Sequence, residues 1–312
     1  MSALLEVEGL SVTFRGVQTV HAVSDVSFAL GEAEILALVG ESGCGKSVIA
    51  HAVAGLLPPS AEISGSIHFQ GRDLLSLPEE EMVGVRGDRI GIILQNPSLA
   101  LNPLHTVGRQ VAEPLRVHRG EGKERALEGA ARALLRLGFA DPEGTAALYP
   151  SMCSGGMNQR VVTAASTVLD PPLLIADEPT KGLDRERVEE IAGFIGGIAR
   201  EGGAALLLIT HDLRVARSVA DRVAVCYAGE IVEVGPASSV LSAPHHPYTR
   251  GLLGSTPEGG FVPIPGSSPS PISPPHGCRF HPRCPRRTDR CTRAHPASVR
   301  IGYHEVRCLR CP

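Results

Sequence analysis

The chain has 312 residues, 43% hydrophobic and 20% charged, which is enough apolar material for a sizeable core and too much for a disordered chain. Its longest apolar runs, such as residues 204–209, are strand-sized and fall short of the roughly 18 residues a membrane span needs. Glu6 and Glu8 stand where a secretory leader would be basic and then apolar. The composition points to a soluble, cytoplasmic chain of one large domain or two modest ones.

Two oddities remain. Among 30 basic residues only Lys46, Lys123 and Lys181 are lysines, and five of the 8 cysteines (Cys278, Cys284, Cys291, Cys308 and Cys311) crowd the C-terminal end. From His276 onward nine arginines face only Asp289 and Glu305, so the net charge of -3 divides into about -10 for the body and +7 for the tail.

Taken in chain order, residues 4–12 and 26–30 alternate like strands, and residues 35–39 form a continuous apolar run suited to a strand buried on both faces. That run leads into Gly40, Glu41, Ser42, Gly43, Cys44, Gly45, Lys46 and Ser47, followed by a helical pattern over residues 48–57. This is the G-x-x-x-x-G-K-[ST] phosphate-binding loop. Glycines let successive N–H groups cradle phosphate oxygens at a helix N-terminus. Lys46 is placed for the β and γ phosphates, and Ser47 for Mg²⁺.

Residues 60–95 read as short strands and turns ending in an apolar strand at 90–94. Helical spacing follows over 107–119 and 123–137. Strands return at 173–176 and 205–209 with a helix over 187–200 between them, a β-α-β order that implies a parallel sheet. Asp177, at the end of an apolar strand, is placed to bind Mg²⁺ through water, and Glu178 to orient or deprotonate the attacking water. Gln95 follows a buried strand and can sense the metal and that water. His211 follows another, where its imidazole meets the γ-phosphate. Ser154, Gly155 and Gly156 open a helix over 157–169 as a second phosphate cradle. One chain needs a single cradle for its own nucleotide, so this one serves the ATP of another chain.

In this order the residues resemble the ATP-binding subunit of an ABC transporter over about residues 4–250. Residues 40–47 look like the Walker A loop, Gln95 the Q-loop, residues 154–159 the signature, residues 175–178 Walker B, Gly182 to Asp184 the D-loop and His211 the switch histidine. The resemblance implies a P-loop NTPase core of α/β class, with an antiparallel β subdomain and a helical subdomain over about 96–164. It also implies a head-to-tail dimer with two ATP molecules between its chains. ATP contacts are carried onto residues 40–48, ending at Val48, and onto Val17 for the adenine. Trans contacts fall on Ser154, Gly155, Gly156 and Gln159.

Residues 95–103, 112–115, 149–150, 245–250 and 277–284 look like the oligopeptide, dipeptide and nickel importer ATPases. That resemblance implies a second ATPase subunit (identical or not), two permease subunits docked around residues 95–115, and indirectly a solute-binding protein. It places the chain at the cytoplasmic face of the cell membrane, with no nucleic-acid partner. Cys153 stands where the family carries leucine, and Lys181 and Gly182 depart from its usual small residues.

Residues 254–275 read as a Pro/Ser/Gly linker, and residues 276–312 as a cysteine-rich extension. In a cytoplasm disulfides are disfavoured, so Cys278, Cys284, Cys291 and Cys308 read as metal ligands. Their spacing lacks the paired C-x₂-C of a zinc ribbon, and thiolate-only ligation suits an iron–sulfur cluster, with zinc as the alternative. Some importer ATPases that this tail resembles carry a [4Fe–4S] cluster on such cysteines. A regulatory metal- or redox-sensing ABC protein and a soluble non-transport ABC ATPase are the competing functions.

Overall fold

The computed structural model describes residues 3–180 and 185–311, and of Ser98 and residues 185–187 the backbone alone. Its strands are β1 (Leu5–Phe14), β2 (Val20–Leu30), β3 (Ile35–Val39), β4 (Ala61–Phe69), β5 (Arg72–Asp73), β6 (Ile90–Ile93), β7 (Leu173–Asp177), β8 (Ala205–Thr210), β9 (Arg222–Tyr227), β10 (Glu230–Pro236), β11 (Ser298–Ile301) and β12 (His304–Arg307). Two compact units result, residues 1–76 with 207–312 and residues 77–206.

In the first unit, β2-β1-β4-β5 form an antiparallel sheet, and further strands run in the order β11-β12-β10-β9-β3-β8. Every residue of β3 is buried, as its uninterrupted apolar run predicts. It pairs in parallel with β9, Val39 opposite Val225. β9 and β10 form a hairpin whose turn, Ala228 and Gly229, has φ of 49° and 83°, the left-handed pair a tight hairpin requires.

The cysteine-rich extension is built into this unit. β12 pairs antiparallel with β10, Glu233 opposite Val306, and Phe280 enters the core with Tyr227 and Tyr248. Two buried glutamates of β10 hold it further. Glu230 accepts from Arg279 at 2.7 Å and pairs with His295 at 2.8 Å. Glu233, fully buried, pairs with His304 at 2.8 Å and accepts the His245 and His246 amides. Burial pushes the His246 imidazole down to about 4, so at neutral pH its uncharged Nδ1 accepts the Tyr248 amide at 3.0 Å. His295 is thus engaged with Glu230, and His281 rests its Nδ1 against the Cys278 carbonyl at 2.9 Å. The proline-rich stretch before the extension is also tied down, with Pro271 accepting the His21 amide at 2.9 Å.

In the second unit, β6 and β7 run parallel with Ile93 opposite Ala176. Helices occupy Val107–Arg119, Lys123–Arg136, Pro142–Ala147, Gly155–Thr167 and Arg185–Gly202. Thr106, Asp141 and Ser154 cap three of them, each accepting a backbone amide of the first turn. A helix over Glu79–Val85 stands where the sequence suggests only strands and turns. It is short and buries just Met82 and Val85, too little apolar spacing to announce a period.

Candidate functional site

The first unit builds a phosphate loop. β3 ends at Val39 and the helix Lys46–Val53 begins after Gly45. Two glycines are required by close approach. A Cβ on Gly40, at φ 152°, would stand 2.1 Å from the Cys226 carbonyl oxygen; one on Gly45, at φ 103°, would stand 2.5 Å from that of Ala22. Gly45 offers no side-chain cap to the helix, which leaves its first amides for an anion.

Lys46 is buried at 5% exposure. Its Nζ donates to the Gly40 carbonyl at 2.8 Å and the Glu41 carbonyl at 3.0 Å, so the loop's own backbone fixes the ammonium at its centre. The Cys44 carbonyl accepts the Gly229 amide at 2.9 Å and the Cys226 thiol at 3.0 Å. Val17, the expected adenine contact, is fully exposed between β1 and β2.

β8 lies beside β3, and His211 follows its last residue, Thr210. Asp212, which the sequence reading passed over, fixes the start of the next helix. It accepts from the Arg214 amide at 2.9 Å and from the Arg214 guanidinium at 2.6 and 3.1 Å. Burial alone would raise its carboxyl, but these bonds hold it below the usual carboxylate range.

The second unit brings Gln95, Asp177 and Glu178 to one end of a parallel pair. With Ile93 opposite Ala176, the residues that follow leave both strands on the same side. Asp177 and Glu178 are 4% and 6% exposed. Glu178 has φ 48°, a left-handed backbone that costs a non-glycine residue about 1–2 kcal/mol and is typical of functional turns.

The same unit carries the serine-glycine-glycine segment. Ser154 Oγ accepts the Met157 amide at 3.3 Å. Nothing lies within 4 Å of where a Cβ would stand on Gly155 or Gly156, so the chain's own packing does not demand glycine there. Ser154 and Gly156 line an open pocket of about 450 Å³ with Gly138, Arg160, Glu190 and Phe194. Gln159 is set apart from that surface: it is 3% exposed, and its Nε2 has no hydrogen-bond partner among the described residues. Asp184 lies outside the described residues, as do Lys181 and Gly182.

The cysteines of the extension gather. Burial pushes the Cys278 thiol up to about 11, with Cys308, Cys291 and Cys284 adding to the shift. Cys284 is raised by burial and then by Cys308 and Cys291. A hydrogen bond from Cys311 brings the Cys308 thiol down to about 6. Among the described residues no three His, Cys, Asp or Glu side chains converge tightly enough to hold a single metal ion.

A profile described as "ABC transporter" matches residues 23–181. The dipeptide transport ATP-binding protein DppD of Bacillus subtilis is 44% identical over 317 residues, covering 99% of this chain and 95% of the relative. The chain belongs to the ABC transporter family. As a member of it, this subunit is an ATPase that works on ATP with Mg²⁺.

A second profile, the oligopeptide/dipeptide transporter C-terminal region, matches residues 232–291. The oligopeptide transport ATP-binding protein OppD of Salmonella typhimurium is 42% identical, covering 95% of this chain and 90% of the relative. Among solved structures, an ATP-binding cassette captured as a dimer in a post-hydrolysis state with ADP and Pi aligns with a TM-score of 0.67 at 28% identity, over 75% of this chain and 98% of that one. CbiO1 of Clostridium perfringens, part of an ABC transporter complex, gives 0.66 at 27% identity, over 78% and 92%.

Proposed function

We propose that this ABC ATPase energises the import of peptides through a separate membrane permease. The carrying observation is the pairing of near full-length similarity to the dipeptide and oligopeptide transport relatives with the match of the oligopeptide/dipeptide C-terminal profile. Nickel, the other cargo expected from the sequence, has no support of that kind.

The working assembly is a pair of ATPase subunits at the cytoplasmic face of the cell membrane, two permease subunits and a solute-binding protein, with no nucleic-acid partner. Among the described residues no helix is long and apolar enough to cross a membrane, in keeping with a peripheral subunit. The open space beside Gly155 and Gly156 supports their use on the second chain's ATP, and the exposed Leu99 and Leu104 support permease docking around residues 95–115. A groove of about 320 Å³ bounded by Ile92, Leu94, Leu101, Gln110 and Glu113 adjoins them. Gly40 through Val48 and Val17 bind the nucleotide; Ser47, Asp177 and Gln95 hold Mg²⁺; Glu178 and His211 serve hydrolysis; and Asp184 lies between the two ATPase subunits.

In the complex reconstituted in vesicles, a solute-binding protein loaded with peptide is expected to raise ATP turnover severalfold and to drive labelled peptide inward. Stimulation by nickel-loaded binding protein alone would overturn the peptide reading.

We also infer that Cys278, Cys284, Cys291 and Cys308 hold a [4Fe–4S] cluster. The support is the all-cysteine set of the C-terminal extension, whose spacing lacks the paired C-x₂-C of a zinc ribbon and whose soft thiolates suit an iron–sulfur cluster. Protein purified without oxygen should be brown, with a broad absorbance near roughly 400 nm, and should lose it in Cys284→Ser. Stoichiometric zinc without iron would reverse this assignment.

A further inference from the structure

The segment from Cys278 to Cys284 carries two arginines, and both reach the phosphate-loop region. Between the two arginines lies Phe280, which is 2% exposed. Phe280 packs edge-on against Tyr227 at 5.2 Å and Tyr248 at 5.5 Å between ring centres, so the backbone on either side is held in place.

Arg283 is 7% exposed. It forks onto the Glu41 carboxylate, Nη1 to Oε2 at 2.8 Å and Nη2 to Oε1 at 3.0 Å. Its Nε donates to the Pro265 carbonyl at 2.9 Å, and Nη1 also meets the Ser268 hydroxyl at 3.2 Å. That hydroxyl itself donates to Glu41.

Glu41 is the second residue of the phosphate loop and is gripped on three sides. Its carboxylate takes Arg283, its amide donates to the Tyr248 hydroxyl at 3.0 Å, and its carbonyl is one of the two acceptors that fix Lys46 Nζ. Arg279 holds the neighbouring turn. It reaches Ser24 at 2.8 Å and the Ala228 carbonyl, and the next amide, that of Gly229, bonds the Cys44 carbonyl within the loop. A forked guanidinium–carboxylate pair fixes direction as well as distance. The arrangement fits a device that sets the loop's shape rather than one that merely glues the extension down.

We propose that Arg283 is a positioning residue for ATP binding: through its forked pair with Glu41 it orients the carbonyl that holds Lys46, so the affinity of the phosphate loop depends on the C-terminal extension. The inference rests on ATP binding at residues 40–47, and on neither the peptide cargo nor a metal on the cysteines.

Arg307 supplies a matched comparison. It is another buried arginine of the extension, 8% exposed, and it pairs with Asp25 at 3.0 Å, outside the phosphate loop. With the full-length chain, the Kd for MgATP is measured by calorimetry alongside the thermal midpoint. Arg283→Ala is expected to raise Kd by about tenfold or more, Arg283→Lys to recover part of the loss, and Glu41→Gln to weaken binding on its own. The double variant Glu41→Gln/Arg283→Ala should be no worse than the weaker single one. Arg307→Ala should lower the midpoint with Kd within about twofold of the parent chain. A parent-like Kd in Arg283→Ala, fully additive losses in the double variant, or an equal loss in Arg307→Ala would each overturn the proposal. Should Arg283→Ala fail to fold, Glu41→Gln decides, and a parent-like Kd there overturns it. An unmodified chain that binds no ATP would instead refute the nucleotide site itself.

Discussion

Glu178→Gln is expected to reduce ATP turnover by about 10²–10⁴-fold, the range of a positioned general base, while ATP binding persists. Glu178 follows β7 and is 6% exposed in a left-handed backbone. The amide keeps the size and the hydrogen-bonding reach of the carboxylate and loses the capacity to accept a proton from water. In the proposed pair of ATPase subunits, with ATP favouring the closed state and hydrolysis the open one, binding without hydrolysis should hold the pair closed. Phosphate release gives the first quantity, and gel filtration in MgATP the second, as a shift from single chains to a dimer. Undiminished turnover in this variant would remove Glu178 from the chemistry.

Lys46→Ala is expected to weaken MgATP binding by about 10²–10⁴-fold, because two charge-assisted hydrogen bonds to phosphate oxygens are lost at roughly 1.5–3 kcal/mol each. The ammonium is nearly buried and already seated between the Gly40 and Glu41 carbonyls. A nucleotide therefore meets a charge that needs little further ordering. Lys46→Arg should not restore affinity. The planar guanidinium is bulkier than the compact ammonium these carbonyls enclose, which is also a physical reason for lysine at this position in a chain otherwise rich in arginine. Calorimetric titration with MgATP measures both variants, and a Kd within about threefold of the parent chain in Lys46→Ala would remove this lysine from the site.

The parts of the nucleotide site were legible because each is local. The phosphate loop is one turn between a buried strand and a helix, and its glycines are forced by carbonyls that stand where a Cβ would go. Asp177 and Glu178 end an apolar strand, Ser154 caps a helix, and Gln95 and His211 each follow a strand. Such features depend on a few neighbouring residues, and a linear reading can find them. Gln159, placed by its signature segment in a trans contact, stands one turn beyond Gly155 and Gly156, and its burial within the single chain is a tertiary property that spacing does not reveal.

The sequence by itself determined that this chain carries a phosphate loop, an acidic strand end, a serine-glycine-glycine helix start and a cysteine-rich end, since each is written in contiguous residues with a chemical requirement of its own. Only the tertiary structure decided what the C-terminal end does to the rest. β12 pairs with β10, Glu230 and Glu233 bury their carboxyl groups against Arg279, His295 and His304, and Arg283 reaches Glu41 across 242 positions of chain. Contacts at that separation leave no period or spacing behind, and one arginine among nine in a basic tail looks like any other until the folded chain places it against the carboxylate it neutralises.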